Sequence, residues 1–483
     1  MNDLSSLEPT IVWKYFQEIS AIPRPSKKEE LITDYILAFA KMHKLYSKTD
    51  KAGNILIKKP AQKGFKNKPT IVLQSHLDMV CEKNEGTNFN FDTDSIIPVI
   101  NGEWVKALGT TLGADDGIGI AAQLAVLASN DIEHGSIECL FTIDEETGLT
   151  GAFALEKGFI EGNILLNLDS EDEGIIFIGC AGGLDSAGKI KVDKIALPAN
   201  QKCIRIDVTG LQGGHSGDDI NKGLGNSVKI VTRIAKLLVE KFNAKLIDIG
   251  GGNLRNAIAR EAFVELAIDN NSYSDTEKSI HDLIRNIKIE LQFTEKNIKI
   301  IITEIAEKTE IISNNSAKQL INILYSLPHG VIGMSHSINR LVETSTNLAS
   351  IKQVDNNWYE ISTSQRSSVN SLKQDIVQQV ASVFRLGNAE FKHSTGYPGW
   401  EPNTSSPILQ KSVDSYKKLF NIEPVVTAIH AGLECGLFLK KYPNLDMISF
   451  GPTIKGAHSP DERLEIASVS KFWLLLLDVL KSV

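Results

Sequence analysis

The chain has 483 residues, 42% of them apolar and 23% charged, which is the balance of a globular protein and not of a disordered or fibrous one. Its 51 Lys and Arg against 59 Asp and Glu leave a net charge of -8, which argues against a nucleic-acid partner, because that affinity comes from neutralising phosphates with cations. The length fits about three domains of ordinary size, or two large ones.

The opening MNDLSSLEPTIVWKYF has no basic segment followed by an apolar one, so no secretory signal is expected. The longest apolar run, FWLLLL at 472–477, is far shorter than the roughly 20 residues a bilayer span needs. Five cysteines (Cys81, Cys139, Cys180, Cys203 and Cys435) show no paired spacing and predict free thiols. Together these features predict a cytoplasmic protein with no membrane partner.

In chain order, 31–41 reads as an amphipathic helix, 70–74 (TIVLQ) as a buried strand and 117–129 as a buried helix. Runs 137–143 and 164–168 read as further buried strands, so an α/β sheet with helical crossovers is expected. From 187 to 391 the texture changes. Strand 203–210, helix 228–242, strands LIDIG and AFVELAI, helix 274–290 and strand 298–305 follow the β-α-β-β-α-β order of a ferredoxin-like unit. A less complete second set follows, with helix 316–326, strands 347–354 and 357–364, helix 371–385 and strand 389–394, which predicts a duplicated lobe. The last segment returns to α/β texture and closes in a helix at 469–480. The expected fold class is α/β: a mixed-sheet catalytic domain, 1–186 and 392–483, interrupted by an inserted α+β lid at 187–391.

Acids and histidines follow the buried strands. TIVLQ runs into Ser75-His76-Leu77-Asp78, the second strand into Asp144-Glu145-Glu146, and the third into Asp169. Asp115-Asp116-Gly117 opens the apolar helix, and His458 follows the strand-like MISFG. Imidazole nitrogens and carboxylate oxygens gathered on one rim suit zinc, cobalt or manganese and not a thiolate-demanding metal. Residues two apart on an extended strand share a face, so Asp78 can reach the far ring nitrogen of a metal-bound His76. Neighbouring Glu145 and Glu146 point apart, so one can ligate while the other serves as base. Each element has a bland reading too: Asp115-Asp116-Gly117 as a helix cap, Glu145-Glu146 as solvated charge, His458 as a loop residue. A purely structural ion-pair network would not explain why the acids sit at strand ends.

The segments QSHLDMV, GTTLGADDGIGIA, DEETGLTGAFAL, NLDS, GLQGGHSGDDI, GGNLRNAIAREAF, YPGWEP, HAGLECGLF and SFGPTIKGAHSPDE span nearly the whole chain. In that order they resemble the di-zinc metallopeptidase family of carboxypeptidase G, aminoacylase, peptidase T and the carnosinases. The resemblance implies two divalent ions per chain, zinc first, with His76 and Asp169 on one, Glu146 and His458 on the other, and Asp115 bridging. Glu145 would be the general base acting on a metal-activated water, with Asp78 behind His76. Many relatives carry Lys or a similar residue where this chain has Gly117, so the choice of Asp115 over Asp116 stays open. In the lobe, the resemblance gives His215 to the oxyanion, and Asn256 and Arg366 to the peptide carboxylate; Glu434 would recognise the amine or support the site.

The implied activity is hydrolysis of dipeptides with a free amino terminus, Xaa-His (carnosine-type) included. The rivals are an aminoacylase- or tripeptidase-type sibling and an inactive peptide-binding relative. The resemblance also implies a homodimer, in which the lobe histidine completes the partner's site, unless the second half of the lobe stands in for a partner.

Overall fold

The computed structural model describes residues 4–483, so the first three residues of the segment 1–186 lie outside the described residues. The chain divides into two compact units. One takes the described residues up to Cys180 together with Trp400–Ala428 and Leu433–Val483; the other takes Ala181–Gly399 and Ile429–Gly432. Among the described residues no helix is long and apolar enough to cross a membrane.

The first unit is built on an eight-stranded mixed sheet. Its spatial order is Tyr46–Thr49, Ile55–Lys59, Ile137–Thr142, Ile71–His76, Ile164–Asn167, Asp446–Ser449, Ile175–Cys180, Val425–Ile429. The middle four strands are mutually parallel. Parallel strands buried on both faces read as continuous apolar runs, as IVL and CLF do here. Helix Ala114–Ala128 is buried along nearly all its length and packs on this sheet. Because the strands run the same way, their carboxyl ends share one edge, where open α/β sheets hold ligands.

The second unit carries a sheet ordered Lys299–Glu304, Gln201–Thr209, Ala262–Asp269, Lys245–Gly251, Val342–Asp355, Trp358–Ser367, Gly182–Lys191, Glu390–His393, with Gly330–Met334 paired beside Val342–Asp355. The first four strands, with helices Ser227–Lys241 and Tyr273–Glu290, have the ferredoxin-like order. The other four repeat it, and the first strand of that second set is Gly182–Lys191, which precedes the whole first set in the chain.

The long hairpin of this unit extends beyond the strands expected at 347–354 and 357–364, to Val342–Asp355 and Trp358–Ser367. Added residues Thr344, Ser345, Thr346, Gln365 and Ser367 are polar yet buried. Thr344 bonds Ser367 at 2.9 Å, and Gln365 donates to Thr346 at 3.2 Å and to Thr363 at 2.8 Å. Paired side chains of this kind remove the cost of burial that makes such a run look like a loop.

Phe384, fully buried on helix Asn370–Leu386, packs over Gly188, where a Cβ would come within 2.1 Å of the ring. Phe384→Ala should therefore lower the unfolding free energy of this unit by about 3–5 kcal/mol, read as a fall in urea midpoint.

Candidate metal centre

Three parallel strands deliver the acids of the first unit. The strand Ile71–His76 ends in a fully buried imidazole, and Asp78, also buried, lies just beyond it. His76 Nε2 faces Asp115 Oδ1 at 3.1 Å and Asp169 Oδ1 at 3.3 Å, while Nδ1 faces Asp78 Oδ1 at 3.4 Å. His458 Nε2 lies 3.2 Å from Asp115 Oδ2 and 3.1 Å from Glu146 Oε2. Asp115 thus presents one oxygen to each imidazole. Donor atoms of His76, Asp115 and Asp169 lie within 4.8 Å of one another, as do those of Asp115, Glu146 and His458 and those of His76, Glu145 and Glu146.

Asp116 is turned elsewhere. Its Oδ1 accepts the Gly119 N–H at 3.1 Å, capping the helix start. Gly117 also has a packing reason, since a Cβ there would come within 2.8 Å of Arg24 Nη2. Glu145 and Glu146 do not continue the strand in extended form. A left-handed backbone at Asp144 (φ 49) starts the one-turn helix Glu145–Gly148. Its first N–H groups donate to Asp78, from Glu145 to Oδ1 at 3.0 Å and from Glu146 to Oδ2 at 3.1 Å. Ser26 Oγ donates to Asp78 Oδ2 at 2.8 Å. Asp78 therefore joins His76 to the Glu pair, and despite burial its bonds to His76 and Glu145 lower its pKa to about 2.

Glu145 and Asp169 shift the other way. Burial, joined by Asp169, Glu146 and Glu434 and opposed by His76, pushes Glu145 well above the usual carboxylate range. Burial, with Asp115 and Asp116, does the same to Asp169. At Asp115, hydrogen bonds from His458 and His76 outweigh burial and hold the carboxyl well below its ordinary value. Glu434 is fully buried; its Oε2 accepts from Gln74 and Thr142, each at 2.7 Å, and burial lifts its pKa to about 7. Glu146 Oε1 is buried with no hydrogen-bond partner among the described residues, and an unpaired oxygen at that depth is costly unless a cation meets it. The oxygen and imidazole donor set fits a divalent ion of the zinc, cobalt or manganese type.

The second unit holds a separate polar group. Arg366, 7% exposed on strand Trp358–Ser367, donates through Nη1 to Tyr397 Oη at 3.1 Å and meets His215 Nε2 at 3.3 Å. His215 Nδ1 lies 3.2 Å from Asp218 Oδ2. Asn256 is exposed in a turn, and its backbone carbonyl accepts the N–H of Ser216, next to His215, at 2.8 Å. Buried His430 bonds Ser345 Oγ through Nε2 at 2.7 Å.

Residues 72–482 match the pattern of peptidase family M20/M25/M40. The chain belongs to that family. It is 43% identical over 483 residues to the cytosol non-specific dipeptidase of Escherichia coli (strain K12), covering 100% of this chain and 99% of that one. The crystal structure of aminoacylhistidine dipeptidase from Vibrio alginolyticus matches with a TM-score of 0.91 at 42% identity, over 99% of this chain and 98% of that one. An M20 family metallo-carboxypeptidase from Sulfolobus solfataricus matches with a TM-score of 0.52 at 15% identity over 98% of each chain, a likeness of fold alone.

In this M20 peptidase, Tyr397, Asp218 and His430 join the polar group without having been expected there from the sequence. Tyr397 lay within the YPGWEP segment and Asp218 within GGHSGDD, but the partners that give them meaning come from remote strands. Burial lowers the His430 pKa to about 4, with Arg366 and His215 adding to the shift and Asp218 opposing it. The unfolded imidazole titrates near 6.5, so below that pH the unfolded chain binds a proton that the folded chain refuses until about pH 4. This contribution to stability is whole at pH 7 and is lost as pH falls from about 6.5 to about 4, on the order of 3 kcal/mol. Urea unfolding at pH 7 and pH 4.5 should show a smaller acid loss in His430→Gln than in the unsubstituted chain.

Proposed function

We propose that this M20 peptidase hydrolyses unblocked dipeptides, Xaa-His dipeptides among them, at a two-metal centre. The observation that carries the reading is Asp115, whose two oxygens face His76 and His458, with Asp169 and Glu146 completing a ligand group on either side. The names of the full-length relatives from Escherichia coli and Vibrio alginolyticus support the dipeptide substrate.

In this reading His76, Asp115 and Asp169 would hold one ion and Asp115, Glu146 and His458 the other. Zinc, or cobalt or manganese in its place, would polarise the scissile carbonyl and acidify a water. Glu145 takes the proton of the attacking water and delivers it to the leaving amine, so one carboxylate serves as base and then as acid. Asp78 fixes the His76 ring by facing Nδ1, and it anchors the Glu145 and Glu146 backbone through their N–H groups. Glu434, held by Gln74 and Thr142, supports the strands that end at this rim. In the second unit the Arg366 fork, with Asn256, suits a peptide carboxylate and His215 suits a developing oxyanion. The working form is taken to be a cytoplasmic homodimer, for which sedimentation at low concentration should give twice 53.0 kDa.

Glu145→Gln should lower kcat on a Gly-His or Ala-His substrate by about 10²–10⁴-fold while metal content, measured by elemental analysis, stays at two per chain. A near-normal rate would remove Glu145 as base. Turnover confined to N-acyl amino acids or to tripeptides would replace the dipeptidase reading. Protein purified without chelator that holds no metal and turns over no peptide would replace it with an inactive binding protein.

A further inference from the structure

The backbone that carries Asp115 is gripped by a carboxylate with no place in the ligand set. Glu462 lies in the same loop as His458 and is 2% exposed. Its Oε2 accepts the N–H groups of Leu112 at 2.7 Å and Gly113 at 2.9 Å; its Oε1 accepts those of Ala114 at 2.7 Å and Asp115 at 3.3 Å. Successive peptide N–H groups converging on one anion form a nest, and bonds to an ionised acceptor are stronger than neutral ones.

The same segment is held from its carbonyl side. Arg24, 2% exposed, donates through Nη2 to the Gly113 carbonyl at 2.5 Å, and through Nη1 to the carbonyls of Leu77 at 3.0 Å and Asp78 at 2.6 Å. Gly113 sits at φ +71, and a Cβ there would come within 2.7 Å of Arg24 Nη2. Backbone around Asp115 is thereby tied to the segment that follows His76 and, through Glu462, to the loop of His458. Those are the two imidazoles between which the Asp115 carboxylate lies.

We propose that Glu462 is a positioning residue of the metal centre. It fixes residues 112–115 against the His458 loop so that Asp115 can present one oxygen to each ion. The inference rests on the assignment of Asp115 as the shared ligand. A side chain that merely stabilised a turn would change melting temperature and leave metal affinity alone; a positioning residue changes the affinity and the ligand field.

The test is Glu462→Gln, which keeps the size but turns an N–H donor toward N–H groups. Zinc affinity of the full-length apoprotein, measured by chelator competition, should fall about 10–100-fold, and the visible spectrum of the cobalt-loaded protein should shift. Leu475→Ala, a buried core change on helix Ile466–Ser482, should lower the melting temperature while leaving both readouts as they are. Glu462→Asp keeps the charge but withdraws it by one methylene, and should give a smaller loss, which keeps the proposal testable if Glu462→Gln does not fold. Unsubstituted affinity and spectrum in the Glu462 variants, or an equal loss in Leu475→Ala, would overturn the proposal. An unsubstituted chain that binds no zinc would instead overturn the assignment of Asp115 beneath it.

Discussion

The two oxygens of Asp115 each face an imidazole, one from His76, which lies 39 residues before it, and one from His458, 343 residues after it. Nothing local in the chain brings these three together. The parallel run of four central strands does, by ending His76, Glu145, Glu146 and Asp169 on one edge and sending the His458 loop back to it.

Buried charge is the cost of this arrangement. Acids pressed together out of water repel and resist ionisation, as the raised pKa values of Glu145, Asp169 and Glu146 record. Two other buried carboxylates of the rim are met by backbone N–H groups instead. Asp78 takes two from the turn that opens on Glu145, and Glu462 takes four from 112–115. The bound anions then set backbone position, which links the electrostatics of the rim to its geometry. Divalent ions would balance the remaining charge, in keeping with the family to which the chain belongs.

Much of this was legible in the residues. The buried strands 70–74, 137–143 and 164–168 showed as apolar runs, and the acids and histidines at their ends stood out because several of them recur together at strand ends, though each alone has a bland reading. The first ferredoxin-like set could be read from its period changes. Its companion looked incomplete, because its first strand, Gly182–Lys191, lies before the intervening set in the chain. The polar ends of the long hairpin were hidden for a different reason: Thr344, Gln365 and Ser367 become strand residues only through each other. Glu462 closes the segment SFGPTIKGAHSPDE, yet its role and that of Arg24 could not be read there, since their partners are peptide groups whose place is decided by the fold.

The central claim is that one carboxylate, Asp115, is shared by two ions. Diffraction from crystals grown with zinc, with anomalous differences collected at the zinc edge, tests it most directly. The account predicts two peaks per chain, one among His76, Asp115 and Asp169 and one among Asp115, Glu146 and His458. A single peak, or two peaks that leave Asp115 outside the coordination of either ion, would contradict it.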